Sequence, residues 1–281
     1  MPDGRTVGVA DFGPADGRAV LWCHGGPGSR LEPSQVAADA AAAGLRLIGI
    51  DRPGYGRSTP WPGRSIAGWV PDGVAALDEL DVERCAVVGV STGGAYAFAL
   101  AAAQPSRVSA VVACCALTDM AWAEGRAMMS AATVTGIWEA GDRDTALAIA
   151  ADELGEDGSR MFAPRPEQAE LPTADLDLLA DEQWLAAMSA TMPEMFAAGV
   201  QGYVDDRLAD GVGWITFDVG AVRCPVMVLH GAVDTIVPVA QAVHTASIVP
   251  GAQLKVVPEL GHLSIITEVV PALTELVPGP S

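Results

Sequence analysis

Apolar residues along this chain fall into short continuous runs set between stretches of helical spacing. Residues 19–23 (AVLWC), 45–50 (LRLIGI), 85–90 (CAVVGV) and 108–117 (VSAVVACCAL) read as strands buried on both faces. Helices are expected between them at 34–43, 66–80 and 94–104. Alternation of this kind builds a parallel sheet with helices on both sides, an α/β fold. The pattern resumes at 225–229 (PVMVL) and 253–257 (QLKVV) and closes with a helix expected at 263–276. A further strand is expected at 7–12, and the tail at 278–281 (PGPS) is expected to be loose.

Between 118 and 216 no strand pattern occurs. The segment holds seven of the nine Met and four of the seven Trp, with many Ala and acidic residues. Because the sheet pattern returns after it, 118–216 is read as a helical cap, or lid, inserted into one core formed by 1–117 and 217–281. Trp122, Trp138, Trp184, Met128, Met129, Met188, Met192 and Met195 are candidates for an apolar substrate pocket, although packing the cap itself is the weightier use of such residues. The acids Asp152, Glu153, Glu156 and Asp157 read as a solvated face.

Composition narrows the partners. Sixteen basic against 35 acidic residues give a formal charge of −19, which argues against nucleic acid and anionic lipid. With 50% hydrophobic and 18% charged residues the chain buries a large core. Five Cys without C-x-x-C spacing suit neither a disulfide framework nor zinc, and read as buried thiols of a cytoplasmic protein. No signal-peptide apolar region opens the chain and no run of about 18 apolar residues follows, so no membrane span is expected. The expected partner is a small-molecule substrate, with no metal and no cofactor; composition leaves the oligomeric state open.

The chemistry concentrates in turns that follow strands. Gly89-Val90-Ser91-Thr92-Gly93-Gly94 stands between a strand and a helix, the context of a G-x-S-x-G nucleophile elbow. Gly89 and Gly93 leave room for a tight turn that lifts the Ser91 hydroxyl above the sheet, at a helix N-terminus that favours developing negative charge. A hydroxyl nucleophile needs a base. His24 and His230 read as loop-shaping residues, and His244 as exposed on a helix. His262 follows the last strand, on the same sheet edge as Ser91, and is the candidate base. Asp234 after the penultimate strand is the candidate partner for its imidazole; Asp119 is the rival, with a helix cap as its plainer role. The oxyanion hole is assigned to the N–H groups of Thr92 and Gly26, with Gly25 as alternative to Gly26.

Taken together, HGGPGS at 24–29, DRPGYGRS at 51–58, GVSTGG at 89–94, GAVD at 231–234 and GH at 261–262 resemble the α/β-hydrolase superfamily across essentially the whole chain. The resemblance implies a mostly parallel, eight-stranded or N-terminally shortened sheet with a helical cap after strand six. It implies a serine hydrolase working through an acyl-enzyme on Ser91, with a small, fairly apolar ester or related acyl compound as substrate. HGGPG is also similar to the oxyanion segment of proline iminopeptidases. Those carry a G-G-S-W-G-type elbow and a D-Q-R-G loop, from which GVSTGG and DRPGYGRS depart. The same triad serves C–C bond hydrolases, lactonases, amidases and perhydrolases, and a non-catalytic ligand-binding homologue would keep the fold without the reaction.

Overall fold

A computed structural model describes residues 1–129, 131–161, 163 and 170–277. The tail at 278–281 lies outside them. Seven strands form one sheet: β1 (Val9–Phe12), β2 (Arg18–Cys23), β3 (Leu45–Ile50), β4 (Cys85–Val90), β5 (Val108–Cys114), β6 (Val226–Gly231) and β7 (Gln253–Val257). Their order is β1-β3-β2-β4-β5-β6-β7, with β1 antiparallel to β3 and every other pair parallel. The sheet is thus the shortened form of the eight-stranded expectation. Ahead of β1 the chain makes a turn from Met1 to Gly4, and Arg5 is pinned to Asp72 by bonds of 2.7 and 2.8 Å. β5 stops three residues short of the expected end because Cys115 turns into the left-handed region, at φ 41°.

The helices are α1 (Ala37–Ala42), α2 (Val70–Glu79), α3 (Gly93–Ala103), α4 (Ala123–Ala127), α5 (Ala132–Glu139), α6 (Arg143–Leu154), α7 (Thr173–Ala180), α8 (Glu182–Met195), α9 (Gln201–Gly211), α10 (Val239–Ile248) and α11 (Val269–Leu276). Strand periodicity divides the core between the two faces of the sheet. Leu21, Cys23, Cys85 and Val87 pack with Phe98 of α3, Leu77 of α2 and Ala242 of α10. Their neighbours Val20, Trp22, Ala86 and Val88 pack on the other face with Ala40 of α1 and Leu273 of α11. Helices α4 to α9 lie between β5 and β6, where the sequence lacked a strand pattern, and α5, α6 and α9 share a small core of their own around Ile137, Ala150 and Val204. All five cysteines are unpaired, four buried and Cys224 half-buried. Among the described residues no helix is long and apolar enough to cross a membrane.

Candidate active site

The parallel strands end on one edge, and the singled-out residues gather there. β4 leads into Ser91, whose φ of 51° lies in the left-handed region, a conformation that a side-chain-bearing residue holds only when its surroundings enforce it. Ser91 N–H donates to Cys114 O at 2.9 Å, and Ser91 O accepts from Gly94 N–H at 3.1 Å and Leu117 N–H at 3.3 Å. Space demands the flanking glycines. A Cβ on Gly89 would stand 2.5 Å from Gly93 O, and one on Gly93 would collide with the Cys23 carbonyl. Ser91 is left half-buried above the sheet. Thr92 caps the start of α3, so its N–H belongs to the donors that a helix leaves unpaired at that end.

Asp234 lies in the turn after β6. Its Oδ1 accepts the N–H groups of Ile236 and Val237, both at 2.8 Å, and its Oδ2 stands 2.8 Å from His262 Nδ1. Burial works against this carboxylate, but His262, His230 and the Val237 amide outweigh it and hold its pKa well below the usual range. Burial also opposes the His262 cation. Cys115 and Asp234 outweigh it, so the imidazole pKa is raised well above its ordinary value. Cys115 is a second hydrogen-bond neighbour of that ring, and burial pushes its thiol pKa well up. Among the described residues no hydrogen bond joins Ser91 to His262. Asp119 is engaged elsewhere: its Oδ1 accepts from Ala121 N–H at 2.9 Å and Trp214 N–H at 2.8 Å, tying the start of the helical insertion to its end.

The remaining histidines do other work. His24 Nε2 accepts the Arg52 N–H at 3.2 Å and its Nδ1 lies 2.6 Å from Gly25 O, so the ring bridges two loops; burial keeps its pKa well below the ordinary value. His230 Nε2 meets Val237 O at 2.8 Å and Asp234 Oδ2 at 3.3 Å, which shapes the Asp234 turn. His244 differs from expectation. It is half-buried, stacked on Trp122 with ring centroids 4.1 Å apart and 2.7 Å from Thr118 Oγ1.

The loop of Gly25 and Gly26 is held from two sides. Glu32 accepts Gly25 N–H at 3.0 and 3.2 Å through its two oxygens and Trp22 Nε1–H at 2.8 Å. Gly25 N–H is therefore occupied, whereas Gly26 N–H has no partner among the described residues. Arg52 donates to the carbonyls of His24 and Gly25, the latter at 2.7 Å. Arg52 is in turn fixed by Asp206 of α9, at 2.7 Å, and the same carboxylate accepts from Arg64 at 2.6 Å, Tyr55 at 2.8 Å and Tyr96 at 2.9 Å. Burial disfavours the Asp206 charge, but Arg52 and Arg64 overcome it and keep the pKa well below the usual range.

Sequence reading missed Glu32, Arg64, Asp206 and Arg207. Arg52 stood inside a quoted motif without a role, and no local signal marked the others. The acids it took as solvated, Asp152, Glu153, Glu156 and Asp157, are exposed, while Asp205, Asp206 and Asp210 on α9 are buried. Of the Met and Trp candidates for a pocket, Met129 packs with Leu117, Met120 and Val237, and Trp138 donates to Asp210 at 2.7 Å. Among the described residues no group of three or more His, Cys, Asp or Glu is placed to hold a metal ion.

Known proteins resemble this chain along most of its length. A family model described as the alpha/beta hydrolase fold matches residues 18–269. The hydrolase YcgS of Bacillus subtilis, whose name calls it uncharacterized, is 27% identical over 93% of this chain and 89% of its own. A 2-hydroxymuconate semialdehyde hydrolase of Pseudomonas putida is 29% identical over 88% of this chain and 81% of its own. The solved enol-lactonase of Burkholderia xenovorans superposes with a TM-score of 0.70, covering 99% of this chain and 98% of its own at 17% identity, a likeness of fold.

Proposed function

The chain belongs to the alpha/beta hydrolase fold family, and on that premise we propose that it is a serine hydrolase cleaving a small carboxylic ester or related acyl compound. One observation carries the reading: Asp234 Oδ2 stands 2.8 Å from His262 Nδ1 on the sheet edge where Ser91 is held at φ 51°. Ser91 attacks the acyl carbon while His262 takes the hydroxyl proton, and Asp234 fixes the tautomer and stabilises the imidazolium. The tetrahedral oxygen is met by the N–H groups of Gly26 and Thr92. Collapse breaks the bond to the leaving group, which departs with the proton from His262. Water, deprotonated by the same imidazole, then releases the acid from Ser91.

The Ser91–His262 hydrogen bond forms when substrate displaces the imidazole toward the nucleophile; such bonds are commonly loose in the unoccupied enzyme. Helices α4 to α9 act as the cap over this edge, docked through Asp206. A cytoplasmic setting suits the five unpaired thiols. A fluorophosphonate probe should label Ser91 in the wild type and not in Ser91→Ala, with loss of p-nitrophenyl butyrate turnover alongside. Equal labelling of both proteins would remove the nucleophile. A second reading, the same triad acting on a C–C bond, is favoured by the similarity to the semialdehyde hydrolase. It predicts turnover of a vinylogous 1,5-diketone where esters are slow.

A further inference from the structure

Helix α9 brings a third arginine into the buried cluster, and the steps above leave it unused. Arg207 is 3% exposed. Its Nη2 lies 2.7 Å from Asp210 Oδ2 and donates to Thr92 Oγ1. A Cβ on Gly26 would stand 3.1 Å from the same nitrogen and 2.7 Å from Thr92 Oγ1. The guanidinium is therefore wedged between the two residues assigned to the oxyanion hole. Its Nε is buried with no hydrogen-bond partner, a donor left unused inside a water-poor site.

The charges around it do not balance evenly. Arg52, Arg64 and Arg207 share the carboxylates of Asp206 and Asp210. Asp206 is saturated by two arginines and two tyrosine hydroxyls. Asp210 gives one oxygen to Trp138, and burial raises its pKa to about 6. Glu32, the other buried carboxylate nearby, faces Trp22 and the Gly25 amide, and burial raises its pKa too. In a chain with 35 acidic and 16 basic residues, this concentration of buried guanidinium groups is a local feature of one site. Burying such a cation is costly unless an anion meets it.

We propose that Arg207 recognises a carboxylate on the acyl part of the substrate, so that the enzyme's preferred substrates are acyl compounds carrying a negative charge near the scissile carbonyl. The inference rests on the serine-hydrolase reading. A guanidinium offers a planar fork of donors matched to a carboxylate, and Nε is the donor that remains free. The acyl end of the site is then set by a cation, in place of the Met and Trp residues that the sequence offered as candidates for an apolar pocket.

The test uses two aryl esters with the same leaving group, p-nitrophenyl butyrate and mono-p-nitrophenyl glutarate, and the full chain. Wild type should favour the glutarate ester in kcat/KM by about 10- to 100-fold, the range of one charge-assisted hydrogen bond. Arg207→Met should bring the ratio near one, and Arg207→Lys should keep part of it. Free glutarate should slow fluorophosphonate labelling of wild-type Ser91 more than butyramide does, and this protection should vanish in Arg207→Met. The wild-type ratio and the protection assay stand even where the Met variant does not fold. A wild-type ratio near one, or a folded Arg207→Met that keeps the preference, overturns the substrate class while the hydrolase reading survives. Absence of both labelling and turnover overturns the hydrolase reading and this inference with it.

Discussion

Asp234 divides its carboxylate between its own turn and a residue 28 positions away: Oδ1 is fixed by the amides of Ile236 and Val237, and Oδ2 is aimed at His262 Nδ1. The backbone donors leave the carboxylate little freedom to rotate. The imidazole orientation is thus inherited from the turn after β6.

Asp234→Asn keeps the shape and one accepting oxygen but loses the charge and the tautomer preference. It is expected to lower kcat on a model ester by up to ~10⁴-fold. Asp119→Asn should change kcat by less than about threefold, because an Asn oxygen still accepts from Ala121 and Trp214. Parallel steady-state kinetics decide the matter, and the opposite ranking would transfer the acid role to Asp119.

The raised pKa of His262 has a readable sign. The base must be neutral to accept the Ser91 proton, so kcat/KM should rise with pH through a value above the ordinary 6.5 of the free imidazole. Removing the Asp234 charge removes a group that holds the proton on, so the acid limb of Asp234→Asn should move toward lower pH. Profiles of kcat/KM from pH 5 to 10 for the two proteins test this; coincident limbs would dissociate Asp234 from the titration.

Glu32 and Gly26 separate loop geometry from stability. Gly26→Ala places a methyl against Thr92 Oγ1 and the Arg207 guanidinium, and should cost about 10²- to 10³-fold in kcat, the worth of one oxyanion donor. Glu32→Ala strands the buried Trp22 and Gly25 donors, and should cost ~1–3 kcal/mol of stability for each unpaired group together with a fall in kcat. Glu32→Gln can still accept one of them and should lie between. Urea midpoints measured beside kcat would expose a purely structural effect if the two losses tracked each other in all three variants.

The strands were legible because apolar residues recur along them: 45–50, 85–90 and 253–257 coincide with β3, β4 and β7, although β7 at the sheet edge is largely exposed. The 108–117 run could not show its own end, since Cys115 leaves the strand through a backbone turn that an apolar pattern does not encode. Ser91, Asp234 and His262 could be singled out as candidates because each sits in a turn with a recognisable glycine neighbour. Glu32, Arg64, Asp206 and Arg207 were not, for a physical reason. Charged residues at helical spacing read as solvated, and only the tertiary meeting of Arg52, Arg64 and Asp206, separated by up to 154 positions, makes them interior.

That meeting sets the last prediction. Asp206 is fully buried and joins α9 to the core through Arg52, Arg64, Tyr55 and Tyr96. Removing one partner of a buried ion cluster costs about 3–5 kcal/mol, since the remaining cations lose their counter-charge. Asp206→Ala should therefore unfold at clearly lower urea, and Asp206→Asn, which retains an acceptor for the tyrosines, should lose less. The pH dependence follows from the direction of the shift. A carboxyl whose folded pKa lies below its unfolded value of 3.8 contributes stability that is complete above that value. The contribution is lost as pH falls toward the folded pKa. Wild type should then weaken below pH 4 more steeply than Asp206→Asn, whose side chain has no proton to take up. Because Arg52 also holds the His24 and Gly25 carbonyls, Asp206→Asn should lower kcat more than it changes KM. Equal stability and equal acid slopes in wild type and Asp206→Asn would show that the apolar contacts of α9, and not its carboxylate, dock the insertion onto the sheet.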